Sequence, residues 1–118
     1  MSSVRRSQRV PLKIPIVVSG ECRCRVPFYQ ETRTVLANAH GALILLRTTV
    51  AVGQLLTLKN ARTQQERACR VVSILPKPSG PAEVGVEFLR PCPRFWNLSS
   101  PPPDWSSVVQ ELVALAAP

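Results

Sequence analysis

The residues best suited to chemistry form a basic cluster near the N-terminus, Arg5-Arg6-Ser7-Gln8-Arg9. Arginine carries a planar fork of N–H donors that binds phosphate oxygens in pairs, and it stacks on flat π-systems such as purines. Arginines at positions i and i+4 of a flexible arm can therefore close on one compact anionic ligand. A solvated basic tail is the alternative interpretation of this cluster taken alone.

Groups that support catalysis are sparse. His40 is the single histidine, it lies in a turn beside Gly41, and the seven carboxylates are scattered along the chain. The sequence contains neither a G-x-S-x-G nucleophile motif nor a G-x-x-x-x-G-K-[ST] phosphate loop. We therefore expect a protein that is not an enzyme and that has no metal site.

Four cysteines, Cys22, Cys24, Cys69 and Cys92, raise the question of a disulfide or a metal site. Cys22 and Cys24 form a C-x-C pair, whereas zinc knuckles and redox pairs use C-x-x-C. One histidine is too few to complete a recognisable zinc motif. Ordinary buried or half-buried thiols are the favoured interpretation, and a disulfide or a metal site is the alternative.

Charge and length narrow the class of partner. The chain has 118 residues, with 15 Lys+Arg against 7 Asp+Glu and a net charge of +8. This length fits one domain, and the basic balance favours an anionic partner such as nucleic acid, a nucleotide or an anionic membrane surface. No apolar run is long enough for a membrane-spanning helix, and the N-terminus does not match a secretory signal. We expect a cytoplasmic protein without membrane insertion.

The elements that must position these residues are mainly strands. Residues 10–19 are rich in β-formers but contain Pro11 and Pro15, which indicates an edge or irregular strand. Asn38 to Gly41 form a turn signal, so residues 31–47 are predicted to be a β-hairpin. Further strands are predicted at residues 55–59, 67–74 and 83–89. Five or six short strands with frequent turns suggest a small barrel or sandwich.

The composition changes after residue 90. Residues 91–103 are rich in proline, which predicts a linker. Residues 104–117 are predicted to form a C-terminal helix that begins at Asp104 and carries an apolar stripe. This stripe fits docking against the body of the domain, and a dimer contact is the alternative.

Three regions together resemble the PilZ domain family. The first is Arg5-x-x-x-Arg9 followed by residues 10–18, the second is the turn and apolar strand within residues 34–45, and the third is residues 84–88. The resemblance covers roughly residues 4–90. It implies a mainly β fold, a small six-stranded antiparallel (split) barrel with a C-terminal helix. The basic arm would be residues 1–9 and the barrel residues 10–90.

PilZ domains bind cyclic di-GMP through an R-x-x-x-R arm and a [D/N]-x-S-x-x-G turn. The resemblance therefore implies a ligand site formed by six residues: Arg5, Arg6, Arg9, Asn38, His40 and Gly41. The second motif departs from the family pattern. With Gly41 aligned to the motif glycine, Leu36 stands at the Asp/Asn position and Asn38 at the Ser position. Leucine has no polar group to offer a guanine edge. If the turn is shortened instead, Asn38 replaces the motif Asp and the Ser is missing, so one polar contact is lost in either alignment.

Three functions follow from these features. The first is a PilZ-type receptor that binds cyclic di-GMP through its arginine arm and passes the signal to a partner protein. The second is a degenerate PilZ-like adaptor that has lost the nucleotide and acts through protein contacts. The third is a small-barrel nucleic-acid binder, which the aromatic content of 5% disfavours because single-strand binding uses exposed stacking platforms.

Overall fold

Alternation of apolar and polar residues produces strands throughout the part of the chain that the structure describes. The structure is a computed structural model, and it describes residues 9–22, 24–92, 94–98 and 102. The strands are β1 (Val10–Pro11), β2 (Pro15–Glu21), β3 (Pro27–Asn38), β4 (Gly41–Leu46), β5 (Leu55–Asn60), β6 (Glu66–Leu75) and β7 (Ala82–Phe88). The expectation of a mainly β protein is confirmed.

The strands close into a six-stranded antiparallel barrel. The order β3-β2-β5-β6-β7-β4 returns to its start because β4 also pairs with β3. The short strand β1 pairs with β3 beyond the β2 pairing, at Val10↔Ala37 and Pro11↔Leu36. Strands β1 and β2 therefore act as one interrupted strand, as the two prolines predicted, and the seven segments make a barrel of six strands.

A buried threonine bridges the interruption between β1 and β2. The Ile14 N–H donates to Thr34 Oγ1 at 2.9 Å, and the Thr34 hydroxyl donates to the Leu12 carbonyl at 2.6 Å. Thr34 is fully buried. Its side chain therefore satisfies backbone groups that a continuous ladder would have paired. This arrangement fixes β1 against the end of β3.

The barrel interior is apolar and continuous. Alternate residues of β2, β4, β6 and β7 point inward and pack on one another, in the pattern expected of strands with one buried face. The largest fully buried aliphatic side chains are those of Ile16, Val18, Ile44, Leu46, Leu58, Val71 and Val84. The opposite face of each strand is left for solvent or for a ligand.

Two aromatic residues from beyond the last strand complete this core. Phe95 and Trp96 are 0% and 1% exposed, and their rings contact each other and Phe88 with centroids 4.8–5.8 Å apart. The Asn60 side-chain amide also donates to the Phe95 carbonyl at 2.8 Å. The proline-rich composition of residues 91–103 predicts a linker, whereas the structure packs these two aromatics into the barrel, because they cover apolar surface at its end.

The expectation of ordinary thiols at Cys22 and Cys24 is wrong, since a disulfide joins them. Both lie in the tight β2–β3 connection, where the Cys22 N–H donates to the Val26 carbonyl and the Arg25 N–H donates to the Cys22 carbonyl. This turn brings the two Cα atoms to 5.3 Å, within the range that a disulfide requires. Cys69 and Cys92 are free.

The predicted C-terminal helix at residues 104–117 lies outside the described residues, as do Arg5 and Arg6 of the predicted basic arm. In the part of the chain that the structure covers, no helix has the length and apolar character needed to cross a membrane.

Candidate functional site

An open cavity of about 340 Å³ lies on the barrel wall, where the β3–β4 turn approaches β6 and β7. Two cross-strand rows form much of its lining. One row follows the register Asn38↔Gly41↔Glu87, and the other follows Leu36↔Leu43↔Gly85↔Ser73, with Arg9 completing the rim. Each row contains a glycine, Gly41 on β4 and Gly85 on β7, where neighbouring atoms occupy the place that a Cβ would take.

The β3–β4 turn is held by the side chain of Asn38. Its Oδ1 accepts hydrogen bonds from the backbone N–H groups of His40 and Gly41, each at 2.8 Å. This is the local bonding that favours Asn before a tight turn. The side-chain oxygen of Asn38 is therefore already used within the turn, which leaves its amide N–H₂ group as the donor it can turn toward a ligand.

Gly41 is required by close packing of β4 against β7. A Cβ atom at this position would collide with the Val86 carbonyl oxygen and lie 2.9 Å from the Glu87 Cα. Both contacts are with backbone, so a larger residue would force the strands apart. Gly41 therefore permits the close approach of β4 and β7 beside the turn.

His40 is part of the wall rather than a projecting side chain. It is 6% exposed, and its carbonyl accepts the Phe88 N–H at 2.7 Å, which ties the turn to the end of β7. The residue still lines the cavity. Its position suits packing or hydrogen bonding with a seated ligand.

Arg9 lies at the cavity because it directly precedes β1, which pairs with the end of β3. The pairing Val10↔Ala37 places the next residue toward the N-terminus beside Asn38. Arg9 is exposed and lines the same cavity as the turn. Arg9 and the β3–β4 turn, nearly thirty residues apart in the sequence, therefore meet at one place.

An apolar side of the cavity is formed by Leu36, Leu43 and Val72. Leu36 is half-buried and faces the cavity, so the residue at the motif Asp/Asn position contributes apolar surface there. A register shift between Val71 and Ser73 brings both Val72 and Ser73 to the lining. A Cβ at Gly85 would collide with the Ser73 hydroxyl, so this glycine makes room for a polar group on the cavity floor.

Four of the six predicted site residues line this cavity: Arg9, Asn38, His40 and Gly41. Sequence reasoning missed the contribution of β6 and β7, namely Val72, Ser73 and Glu87. The alternation in residues 83–89 indicated that Glu87 faces away from the core, but only the strand order shows that β7 lies beside the turn.

Aromatic side chains offer little platform for nucleic acid in the described part of the chain. Phe95 and Trp96 are buried in the core, and Phe28 packs partly against it. Tyr29 is 71% exposed but lies on β3 near the opposite, disulfide-bearing hairpin. The stacking surface that single-strand binders use is therefore small.

The chain matches no family model. It also matches no curated protein. The resemblance to PilZ domains stays a prediction.

Proposed function

We propose that this protein is a single-domain receptor of the PilZ type, which binds cyclic di-GMP in the cavity beside the β3–β4 turn and passes the signal to a partner protein. One observation carries the proposal. Arg9 from the arm and Asn38, His40 and Gly41 from the turn, selected from two separate motifs, line a single cavity. The closed antiparallel barrel is also the fold that the resemblance implies.

The chemistry of the cavity suits a nucleotide with phosphates and flat bases. Arg9 can pair with phosphate oxygens or with the O6 and N7 acceptors of guanine. Leu36, Leu43 and Val72 give apolar surface for a base to cover. Arg5 and Arg6, four and three positions before Arg9, would close over the ligand from the arm.

Signal transfer would use the arm. The two-residue strand β1 is the attachment point, and Arg9 comes directly before it. Ligand contacts to the arginines would hold the arm across the cavity. The surface at this end of the barrel then differs between the free and the bound protein, which is a local ordering switch that a partner can detect.

Isothermal titration with cyclic di-GMP tests the proposal directly. Arg9→Ala should abolish measurable heat at high micromolar ligand, and Arg5→Ala should weaken binding strongly. Arg62→Ala, an exposed arginine in the β5–β6 loop, removes the same charge away from the cavity and should bind like the parent chain. If the folded parent protein gives no heat with cyclic di-GMP, the proposed receptor function is rejected.

A second candidate is the degenerate adaptor, which keeps the fold but not the nucleotide. Two observations favour it: Leu36 offers the cavity no polar group, and the side-chain oxygen of Asn38 is engaged in its own turn. An adaptor would retain a purified partner regardless of cyclic di-GMP and of Arg5→Ala. A partner that is released when residues 104–118 are deleted would assign the contact to the C-terminal segment.

A further inference from the structure

The lining of the cavity carries one cationic and one anionic side chain. Among the described residues, the charged side chains on its lining are those of Arg9 and Glu87. Glu87 lies on β7 in register with Gly41, and Gly41 pairs in turn with Asn38. The carboxylate and the Asn38 side chain therefore flank a position that has no side chain of its own.

The spacing of this row suits a flat base. Adjacent strands are about 4.8 Å apart, so Asn38 on β3 and Glu87 on β7 are separated by roughly 10 Å across β4. Gly41 projects no side chain between them, because β7 backbone occupies the place that its Cβ would take. The apolar row with Leu36 and Leu43 runs alongside this stretch of surface. A purine that lies across Gly41 would meet a polar group at each end.

We propose that Glu87 is the residue that makes this cavity selective for guanine, an inference that rests on the proposed binding of cyclic di-GMP. A carboxylate is an acceptor with two oxygens. Guanine presents an N1–H and a 2-amino group side by side, and it carries the acceptors O6 and N7 on another edge. Glu87 accepts from the donor edge while Arg9 donates to the acceptor edge.

The same arrangement rejects adenine. Its N1 is an acceptor and would face the Glu87 carboxylate, and its 6-amino group would face the Arg9 guanidinium. Leu36 strengthens the need for such a residue, because the turn itself brings no carboxylate to the cavity. The acceptor for the base comes instead from β7.

The experiment compares Glu87→Gln with Glu83→Gln by titration with three ligands. Cyclic di-GMP is the reference, cyclic di-IMP lacks the 2-amino group, and cyclic di-AMP presents adenine. Glu83 is the matched control, since it lies on the same strand, has the same charge and pairs with Lys77 at 3.3 Å. Thermal melts of each variant check that the barrel is intact.

The parent chain should prefer cyclic di-GMP over cyclic di-IMP by about 10-fold, and Glu87→Gln should weaken cyclic di-GMP by roughly 10–100-fold. The preference over cyclic di-IMP should then shrink toward unity, while Glu83→Gln stays within about twofold of the parent. The direction of the change in affinity is informative. Removing a negative charge by itself favours binding of a dianionic ligand, so weaker binding by Glu87→Gln would point to lost hydrogen bonds and not to charge.

Two results would overturn the inference, and they differ. If Glu87→Gln binds cyclic di-GMP as tightly as the parent and keeps the guanine preference, Glu87 does not read the base, while the proposed receptor function stands. If the folded parent chain binds none of the three ligands, the proposed function fails and the role of Glu87 fails with it.

Discussion

At the scale of single residues, Asn38 has a structural task in addition to any contact with a ligand. Its Oδ1 accepts two backbone N–H groups of the turn. Asn38→Ala should lower the free energy of unfolding by about 1–2 kcal/mol, because both donors lose their partner in a half-buried site. Asn38→Asp keeps the acceptor and should lose less than about 0.5 kcal/mol. Urea denaturation measures both, and equal losses in the two variants would contradict this role.

Cys69 should make the free energy of unfolding decrease as the pH becomes alkaline. Burial raises the pKa of its thiol from 9.0 to about 12. Between these two values the unfolded chain releases the thiol proton while the folded chain keeps it, so stability falls as the pH rises above 9. One such group contributes a slope of up to about 1.4 kcal/mol per pH unit.

Cys69→Ala removes this contribution. The variant should be slightly less stable near pH 7, because it loses buried volume, yet it should lose stability less steeply between pH 9 and 11. Urea denaturation at a series of pH values compares the two slopes. Parallel curves of unfolding free energy against pH for the parent chain and the variant would show that Cys69 does not cause the pH dependence.

At the scale of elements, Thr34 holds the interrupted strand together. Thr34→Val keeps the shape but removes the hydroxyl that bonds to Ile14 N–H and the Leu12 carbonyl. A loss of about 2–5 kcal/mol in unfolding free energy is expected, since two backbone groups beside a buried residue lose their partner. Thr34→Ser retains both bonds and should lose only about 1 kcal/mol for the missing methyl group. Equal losses would mean that packing, not hydrogen bonding, dominates there.

The same element shows how far sequence reasoning reaches. Pro11 and Pro15 predicted an irregular first strand, because proline removes ladder donors, and the break between β1 and β2 follows. The residue that compensates for the break is Thr34, twenty or more positions away. Nothing in the local pattern distinguishes this threonine from Thr32, since only the pairing of β3 with both segments brings it to the gap.

At the scale of the whole molecule, the fold extends past the last strand. Phe95 and Trp96 fill the end of the core. Removing a buried Phe or Trp side chain costs about 3–5 kcal/mol each, which together approaches the total stability of a small domain. A chain of residues 1–90 should therefore fail to fold, whereas residues 1–98 should unfold cooperatively.

Circular dichroism melts and amide NMR dispersion compare the two truncations, which differ only by residues 91–98. Closely similar melting temperatures would show that the aromatic segment merely covers the barrel. The predicted boundary at residue 90 followed the last strand pattern and the prolines. Phe95 and Trp96 are buried because the chain reaches the open end of the barrel core after β7. The composition of residues 91–98 does not show which end of the barrel the chain will reach.

The candidate site was predictable to the extent that its residues belong to contiguous motifs. Arg9 and the turn at Asn38 to Gly41 stand out by type and spacing, and the structure brings them to one cavity. Glu87 and Ser73 come from strands that reach the turn only through barrel closure. Their side chains reach the cavity only in this strand register, because a one-residue shift would turn them to the other face of the sheet.

The indole of Trp96 donates a hydrogen bond to the Asn38 carbonyl at 2.9 Å, while the Cys92 N–H donates to the Ala39 carbonyl at 2.9 Å. The turn that lines the cavity is thus bonded to the segment that leads toward the C-terminus. If the protein binds a nucleotide as we propose, thermodynamic linkage makes this connection reciprocal. A partner that binds the C-terminal segment and alters nucleotide affinity would have its own affinity altered by bound nucleotide by the same factor. Because the Trp96 indole is bonded to this turn, a change in the geometry of the turn should change the fluorescence of Trp96.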